Sequence, residues 1–357
     1  MKVAFFTPTL QIGGYEKVVV AFANHLADTY NQKITIVCGN DEGGLKSLIS
    51  PKVSLVCLRC KTRNLLVKLS QYLKIEEPDV LYTGFRIYNS IAIMARALAR
   101  NGKTKVLISQ HGYEYQGGVR KKIHSLIQRK ADGFIAVTEN IRWFEQEALN
   151  LRCLQCVIGN PVIKEGLVIS PSKDPWLDNH PIICVCSRLS QDKNVGLAID
   201  ILDLLHQSGE VYKLLILGDG PERRSLTEKV QAKNLSHFVR FQGYVQRPMD
   251  YMARCSVYLH TSDKEGFGNT VVEAMYTGLP VVTTDCGGPV ELIENEKYGI
   301  CFGSGHAKTA ATRGKNTILY VVENRALFSG MKEKAEEFTV ETATKKLICF
   351  IKKDDSE

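Results

Sequence analysis

Short apolar runs, each ending on a glycine or a polar turn and followed by an amphipathic stretch, recur along nearly the whole chain. That alternation leaves little choice of fold. A helix returning between successive strands makes them parallel, and parallel strands need both faces of their sheet covered. The runs at 2–7, 33–38, 53–58, 80–83, 105–109, 133–137 and 153–158 read as strands. Helices are expected at 15–30, 65–75, 89–100 and 119–131, and from the capping pair Thr138-Glu139 to 149. A strand, the Gly13-Gly14 turn and a helix open a doubly wound α/β domain. The pattern breaks at 159–181, where Pro161, Pro171, Pro175 and Pro181 fall among polar residues. It then restarts, with strands at 182–186, 212–217, 239–242, 257–261 and 280–284 and helices at 195–207, 222–232, 248–253 and 269–277 and from 290. The tail at 326–352 reads as helical with short breaks. A chain of 357 residues accommodates two such domains. The expected division is 1–163 and 164–340, with a last helix at about 341–357 returning to the first domain.

Charge separates the halves. Residues 1–160 hold 22 Lys and Arg against 12 Asp and Glu, and the remainder holds 24 against 26. The excess gathers at 61–68, at 96–105, at Arg120-Lys121-Lys122 and at Arg129-Lys130. A basic half attracts an anionic membrane surface, an anionic polymer or a diphosphate-bearing acceptor. Nucleic acid is not expected, because no basic motif interleaved with aromatics and no helix-turn-helix signature is present. The N-terminal apolar run is too short for a signal peptide, and no stretch approaches the ~18 apolar residues of a membrane span. The expected location is cytoplasmic, or peripheral on the inner face of the cytoplasmic membrane. Eleven cysteines, mostly within apolar runs, read as reduced core thiols. The pairs Cys57/Cys60 and Cys153/Cys156 lie too far apart in sequence for the usual zinc knuckle, so neither a metal nor a cofactor is expected.

The densest concentration of chemistry is at 261–291. Glu265 and Glu273 flank Gly266-Phe267-Gly268 and Asn269-Thr270, where a glycine turn opens a helix closed by Gly278 and Pro280. A second loop, Cys286-Gly287-Gly288-Pro289, opens another helix. Helix N-termini carry free N–H groups and partial positive charge, which suit a diphosphate, and glycine permits close approach to a ligand. Carboxylates repel phosphate but accept hydrogen bonds from sugar or ribose hydroxyls. A phosphate cradle flanked by such carboxylates reads as a nucleotide-sugar site. His111, in Gln110-His111-Gly112 after a strand, stands where open α/β sheets bind ligands.

The order of these motifs resembles the retaining glycosyltransferases of family four, whose GT-B fold places two Rossmann-like domains face to face across a cleft. The likeness covers nearly the whole chain: Gly13-Gly14 with Glu16, Asn160-Pro161-Val162, Ser187-Arg188-Leu189 with Lys193-Asn194, Gly218-Asp219-Gly220-Pro221, Gly243-Tyr244-Val245, and Glu265 to Glu273. Ser187 departs from the family's usual glycine before the arginine. The resemblance implies that Arg188 and Lys193 neutralise the departing diphosphate, with Gly14 approaching it from the other domain. Glu273 would meet the ribose. Glu265 would meet the sugar hydroxyls, with backbone N–H groups of Gly266, Phe267 and Gly268 nearby, and Asn269 and Thr270 would also belong to the donor site. Tyr244 and Val245 would border the base, and His111 would hydrogen-bond a sugar hydroxyl near the reacting carbon. The implied donor is a nucleotide sugar, with UDP favoured over GDP. The implied acceptor is a glycan or lipid-linked sugar in cell-surface polysaccharide or lipopolysaccharide synthesis. Transfer would retain configuration by front-face attack, without a metal, once the cleft closes. Two other readings share the fold: a nucleotide-sugar 2-epimerase, which needs acid/base groups over the sugar and no acceptor, and a non-catalytic nucleotide-sugar sensor.

Overall fold

In the computed structural model, residues 1–113, 119–303 and 307–353 are described, apart from the side chains of residues 119–121 and 307. Residues 354–357 of the expected last helix, and the side chains of Arg120 and Lys121 in the basic cluster, lie outside them. The chain divides into two compact units, Met1–Glu165 with Thr339–Glu357, and Gly166–Phe338.

The first unit is built on a seven-stranded sheet of β1 (Lys2–Thr7), β2 (Lys33–Cys38), β3 (Ser54–Cys57), β4 (Val80–Gly84), β5 (Lys105–Gln110), β6 (Gly133–Ala136) and β7 (Leu154–Val157). Their order is β3-β2-β1-β4-β5-β6-β7, and every pairing is parallel. The helices are α1 (Gly14–Thr29), α2 (Leu65–Glu76), α3 (Arg86–Ala99), α4 (Val119–Gln128) and α5 (Glu139–Leu149). The central strands are buried along almost their whole length, as a sheet covered on both faces requires.

The second unit repeats the plan. Its six parallel strands, β8 (Ile182–Cys186), β9 (Lys213–Leu217), β10 (Val239–Gly243), β11 (Val257–His260), β12 (Val281–Thr283) and β13 (Gly299–Cys301), lie in the order β10-β9-β8-β11-β12-β13. They alternate with α6 (Val195–Gln207), α7 (Arg223–Ala232), α8 (Pro248–Met252), α9 (Asn269–Tyr276), α10 (Gly288–Leu292), α11 (Ala307–Glu323) and α12 (Met331–Glu336). The last helix, α13 (Val340–Lys353), belongs to the first unit, where Leu347, Phe350 and Ile351 enter the core around β1 and α1. A Cβ on Gly133 would lie 2.9 Å from the Phe350 ring, so the glycine makes room for this helix.

Differences from the expected elements have local causes. Helix α3 begins one turn early, at Arg86, after Phe85 takes a positive φ of 66°. Helix α4 stops at Gln128 rather than 131, and α10 starts at Gly288 rather than 290, with Pro289 in its first turn where no N–H is needed. Strand β13 and helix α11 were not expected at all. Strand β13 has only three residues. Helix α11 carries Gly314 in its interior, which weakens a helix signal but allows close packing: a Cβ there would lie 2.5 Å from Ile201 of α6.

Candidate active site

In the second unit the site is assembled from loops at the carboxyl ends of parallel strands. The exit of β8, Ser187-Arg188-Leu189, is pinned to the exit of β9 by Ser187 N–H on the Leu217 carbonyl and Leu189 N–H on the Asp219 carbonyl (both 3.0 Å). Gly218, at φ 126°, allows this contact, since its Cβ would fall 1.9 Å from the Ser187 carbonyl oxygen. The glycine is therefore required by a neighbouring backbone. Arg188 is exposed, and its guanidinium has no hydrogen bond or ion pair among the described residues.

Lys193 ends a short 3-10 turn before α6, and its loop is fastened to the loop after β11. Thr261 donates its hydroxyl to the Lys193 carbonyl (2.8 Å), Asp263 N–H bonds the Asp192 carbonyl (3.0 Å), and Asn194 donates to the Asp263 carboxylate (3.2 Å). These bonds bring two sequence-predicted residues together: the Lys193 ammonium lies 2.6 Å from Glu265 Oε2. Both side chains are about a fifth to a quarter exposed, at 21% and 24%. Glu265 is fixed through its backbone, with its N–H on the Cys286 carbonyl (2.7 Å) and its carbonyl accepting from Gly288 N–H (2.9 Å). Gly288 is confined by Gly266 and Phe267, because its Cβ would lie about 2.5–2.6 Å from their backbone atoms. The two glycine loops thus form one packed ledge.

Gly268, at φ 99°, caps α9, which places Asn269 and Thr270 in the first turn and Glu273, partly buried, one turn on. The Phe267 ring is buried and packs edge-on against Phe338 (5.2 Å), which leaves only its backbone for a ligand. Thr270 is likewise engaged, its hydroxyl lying 2.6 Å from that of Tyr258, which also reaches the Cys186 carbonyl at 3.2 Å. Tyr244 is exposed and Val245 half-buried, just beyond Gly243 at φ 77°. The Arg223 guanidinium stands over the Phe241 ring (5.6 Å) and close to Gly243.

Two residues in this unit escaped the sequence reading. Arg223 had a faint signal, following the glycine loop after β9. His260 had none, being one more residue of an apolar strand. It is buried, its Nε2 has no hydrogen-bond partner among the described residues, and it lies 3.8 Å from Glu265 Oε2. Burial pushes the imidazole pKa down to about 4; Glu265 opposes that shift and Lys193 adds to it.

In the first unit Gly14 is exposed in the first turn of α1. The Glu16 carboxylate folds back over Gly13, where a Cβ would meet it at 2.1 Å, and burial raises its pKa. His111 follows β5 and is braced on both ring nitrogens: Nδ1 to Asn160 Oδ1 (3.2 Å), Nε2 to Ser109 Oγ (2.9 Å) and to the Tyr82 hydroxyl (3.4 Å). Tyr15 packs on its ring at 4.9 Å. Burial lowers its pKa to about 4, so the ring is neutral near pH 7. Its nitrogens are committed to protein groups, and only an exchange of partners would turn one toward a sugar.

Residues 12–162 match the family described as Glycosyltransferase Family 4, and residues 170–338 match Glycosyl transferases group 1. The amylovoran biosynthesis glycosyltransferase AmsD of Erwinia amylovora is 25% identical over 304 residues, covering 84% of this chain and 85% of that protein. The N-acetylgalactosamine-N,N'-diacetylbacillosaminyl-diphospho-undecaprenol 4-alpha-N-acetylgalactosaminyltransferase of Campylobacter jejuni is 25% identical over 317 residues, covering 84% and 85%. Among solved structures, HepE of Anabaena in complex with UDP-glucose superposes with a TM-score of 0.80 at 21% identity, over 98% of both chains. The lipopolysaccharide outer core galactosyltransferase WaaB gives 0.75 at 20% identity, over 98% and 99%. The structural likeness establishes the fold class, two Rossmann-like units of the GT-B type.

Proposed function

The chain belongs to the group 1 glycosyl transferases of family four, and from that premise we propose that it moves a sugar from a UDP-sugar, with retention of configuration, to a glycan or lipid-linked acceptor in cell-surface polysaccharide or lipopolysaccharide synthesis. One observation carries the reading: the Lys193–Glu265 contact, on a ledge that ends in the first turn of α9, on the unit that also bears the exposed Arg188. A cation next to a carboxylate serves a ligand that is anionic at one end and hydroxylated at the other. Lys193 and Arg188 would neutralise the diphosphate as the glycosidic bond breaks and charge builds on the leaving group. The N–H groups at the start of α9, from Asn269 and Thr270, would add to that field. Glu265 would hold sugar hydroxyls and Glu273 the ribose. Tyr244 and Val245, with Arg223 behind them, would border the base. Gly14 would leave room for a phosphate at α1, and His111 would present a neutral imidazole. The acceptor hydroxyl would attack from the side on which diphosphate leaves, a phosphate oxygen taking its proton, while the protein supplies position and charge without a metal.

The names of relatives support the donor and the acceptor. UDP-glucose occupies the HepE complex, and the Campylobacter enzyme's name contains a diphospho-undecaprenol. A panel of UDP-, GDP- and ADP-sugars, incubated with and without lipid-linked acceptor, tests the reading. The expected result is free UDP together with a new α- or β-glycoside of the donor's own configuration. An altered sugar still attached to its nucleotide would indicate a 2-epimerase, and binding without turnover would indicate a sensor.

The acceptor side is proposed to face an anionic membrane. Helices α4 and α5 pack together; Ile123, Leu126 and Trp143 are exposed on them, as are Lys122, Arg129 and Lys130 on and after α4, and the Arg142 guanidinium, paired with Glu139 at 2.7 Å, lies 4.7 Å from the centre of the Trp143 ring. Apolar side chains set among cations match an anionic interface. Vesicles rich in anionic lipid are expected to co-sediment the protein at low salt and to release it at about 0.5 M salt, where charges are screened within a few ångströms. Equal binding to neutral vesicles would overturn this assignment. Among the described residues no helix is long and apolar enough to cross a membrane.

A further inference from the structure

The buried histidine at the end of β11 has no part in the reaction as described so far, although a buried, unpartnered ring nitrogen is costly to keep. Its Nε2 lies 3.8 Å from the same Glu265 oxygen that Lys193 holds at 2.6 Å. One carboxylate oxygen thus stands between two nitrogens, one bonded and one just out of reach. We infer that His260 is the positioning residue for Glu265, taking over its carboxylate when the diphosphate draws the Lys193 ammonium away.

The inference rests on the donor reading above and follows from what that reading demands of Lys193. A diphosphate carries more charge than one carboxylate, so the flexible ammonium moves toward it. Glu265 would then lose its cation just as it must be held still against the sugar hydroxyls. A hydrogen bond from a nitrogen needs about 2.7–3.2 Å, so the carboxylate has to close roughly 0.6–1.1 Å of the present 3.8 Å gap. Its own backbone cannot shift, being bonded on both sides to the Cys286–Gly288 loop. The adjustment therefore falls on the glutamate side chain, which swings from lysine to histidine.

The electrostatics agree in sign. The charged groups acting on the imidazole are Glu265 and Lys193. Tyr258, on the same strand, and Cys286, in the loop bonded to Glu265, are kept neutral by burial. Withdrawing Lys193 removes a cation that depresses the His260 pKa and leaves the carboxylate that raises it. The histidine should therefore titrate at higher pH in the donor complex, yet remain a neutral N–H donor near pH 7.

The first measurement uses the unaltered protein. The His260 imidazole is followed by nitrogen NMR through a pH titration, alone and with saturating UDP, and assigned from the spectrum of His260→Gln. The expected result is a pKa at least about one unit higher with UDP bound. UDP binding with an unmoved His260 titration would overturn the inference and leave the donor reading standing. Absence of UDP and GDP binding would sink the donor reading, and the inference with it. The second measurement compares His260→Leu with His260→Gln. Leucine removes the N–H at similar volume and is expected to lower kcat about tenfold or more, with the donor KM changed less than about threefold. Glutamine restores an N–H and should recover most of that loss. Equal kcat values for two variants that melt at similar temperatures would also overturn it.

Discussion

Lys193→Ala is expected to lower kcat/KM for sugar transfer about 10²–10³-fold while leaving the protein folded. Removing one preorganised group that faces developing charge typically has this size of effect. Arg188→Ala should fall in the same range, and the double variant should lose less than the product of the two, because both act on one diphosphate. The stability side separates this outcome from misfolding. The Lys193–Glu265 pair is partly exposed, and such pairs contribute about 0–1 kcal/mol. Thermal unfolding should therefore shift by no more than a few degrees. The readout is the initial rate of UDP release with acceptor present. Transfer within about threefold of the unaltered protein would show that the lysine faces no charge in the transition state.

The second large effect is on stability. Arg86, at the start of α3, and Glu145, on α5, form an ion pair with side chains 1% and 2% exposed. One guanidinium nitrogen lies 2.7 and 3.0 Å from the two carboxylate oxygens. Glu145→Ala would remove the carboxylate that pairs with this buried guanidinium, and breaking a buried pair costs about 3–5 kcal/mol. For a unit of this size that is a loss of roughly 10 °C in melting temperature. Replacing both partners, as Arg86→Met with Glu145→Leu, should recover most of the loss, since a well-packed apolar pair removes the desolvation cost of the charges. Urea unfolding checks both variants, and a single-variant cost below about 1 kcal/mol would show that solvent reaches the pair. The pair matters to the candidate site because α3 also holds the end of β5. Asn89 donates to the Ser109 carbonyl (2.9 Å), two residues before His111.

How far the sequence could be read depended on the range of the interaction concerned. Strand and helix positions are local matters of period and punctuation, and most were legible to within a few residues. Helix α11 was not, because an interior glycine that fits against Ile201 looks, without the neighbour, like a helix breaker. In the candidate site, the stretch from Glu265 to Glu273 was legible through its two glutamates and its glycines. The reason for two other glycines was not. Gly218 and Gly288 were read as room for a ligand or as family motif, yet each is pressed against the backbone of a neighbouring loop. His260 was invisible, since a histidine within an apolar strand carries no local mark of what it faces.

By itself the sequence determined two parallel α/β units, because helices alternating with buried strands can close only that way. It also determined the residue types that make a nucleotide-sugar site chemically reasonable. Only the tertiary structure decided which of them meet. Lys193 reaches Glu265 across 72 residues of sequence, and Arg86 reaches Glu145 across 59. Neither separation has a period that a pattern could reveal. The strand order β10-β9-β8-β11-β12-β13 sets β8 beside β11, so the loops that follow those two strands come to one place. That adjacency puts an ammonium and a buried imidazole beside one carboxylate oxygen, a meeting that no local pattern in the chain encodes.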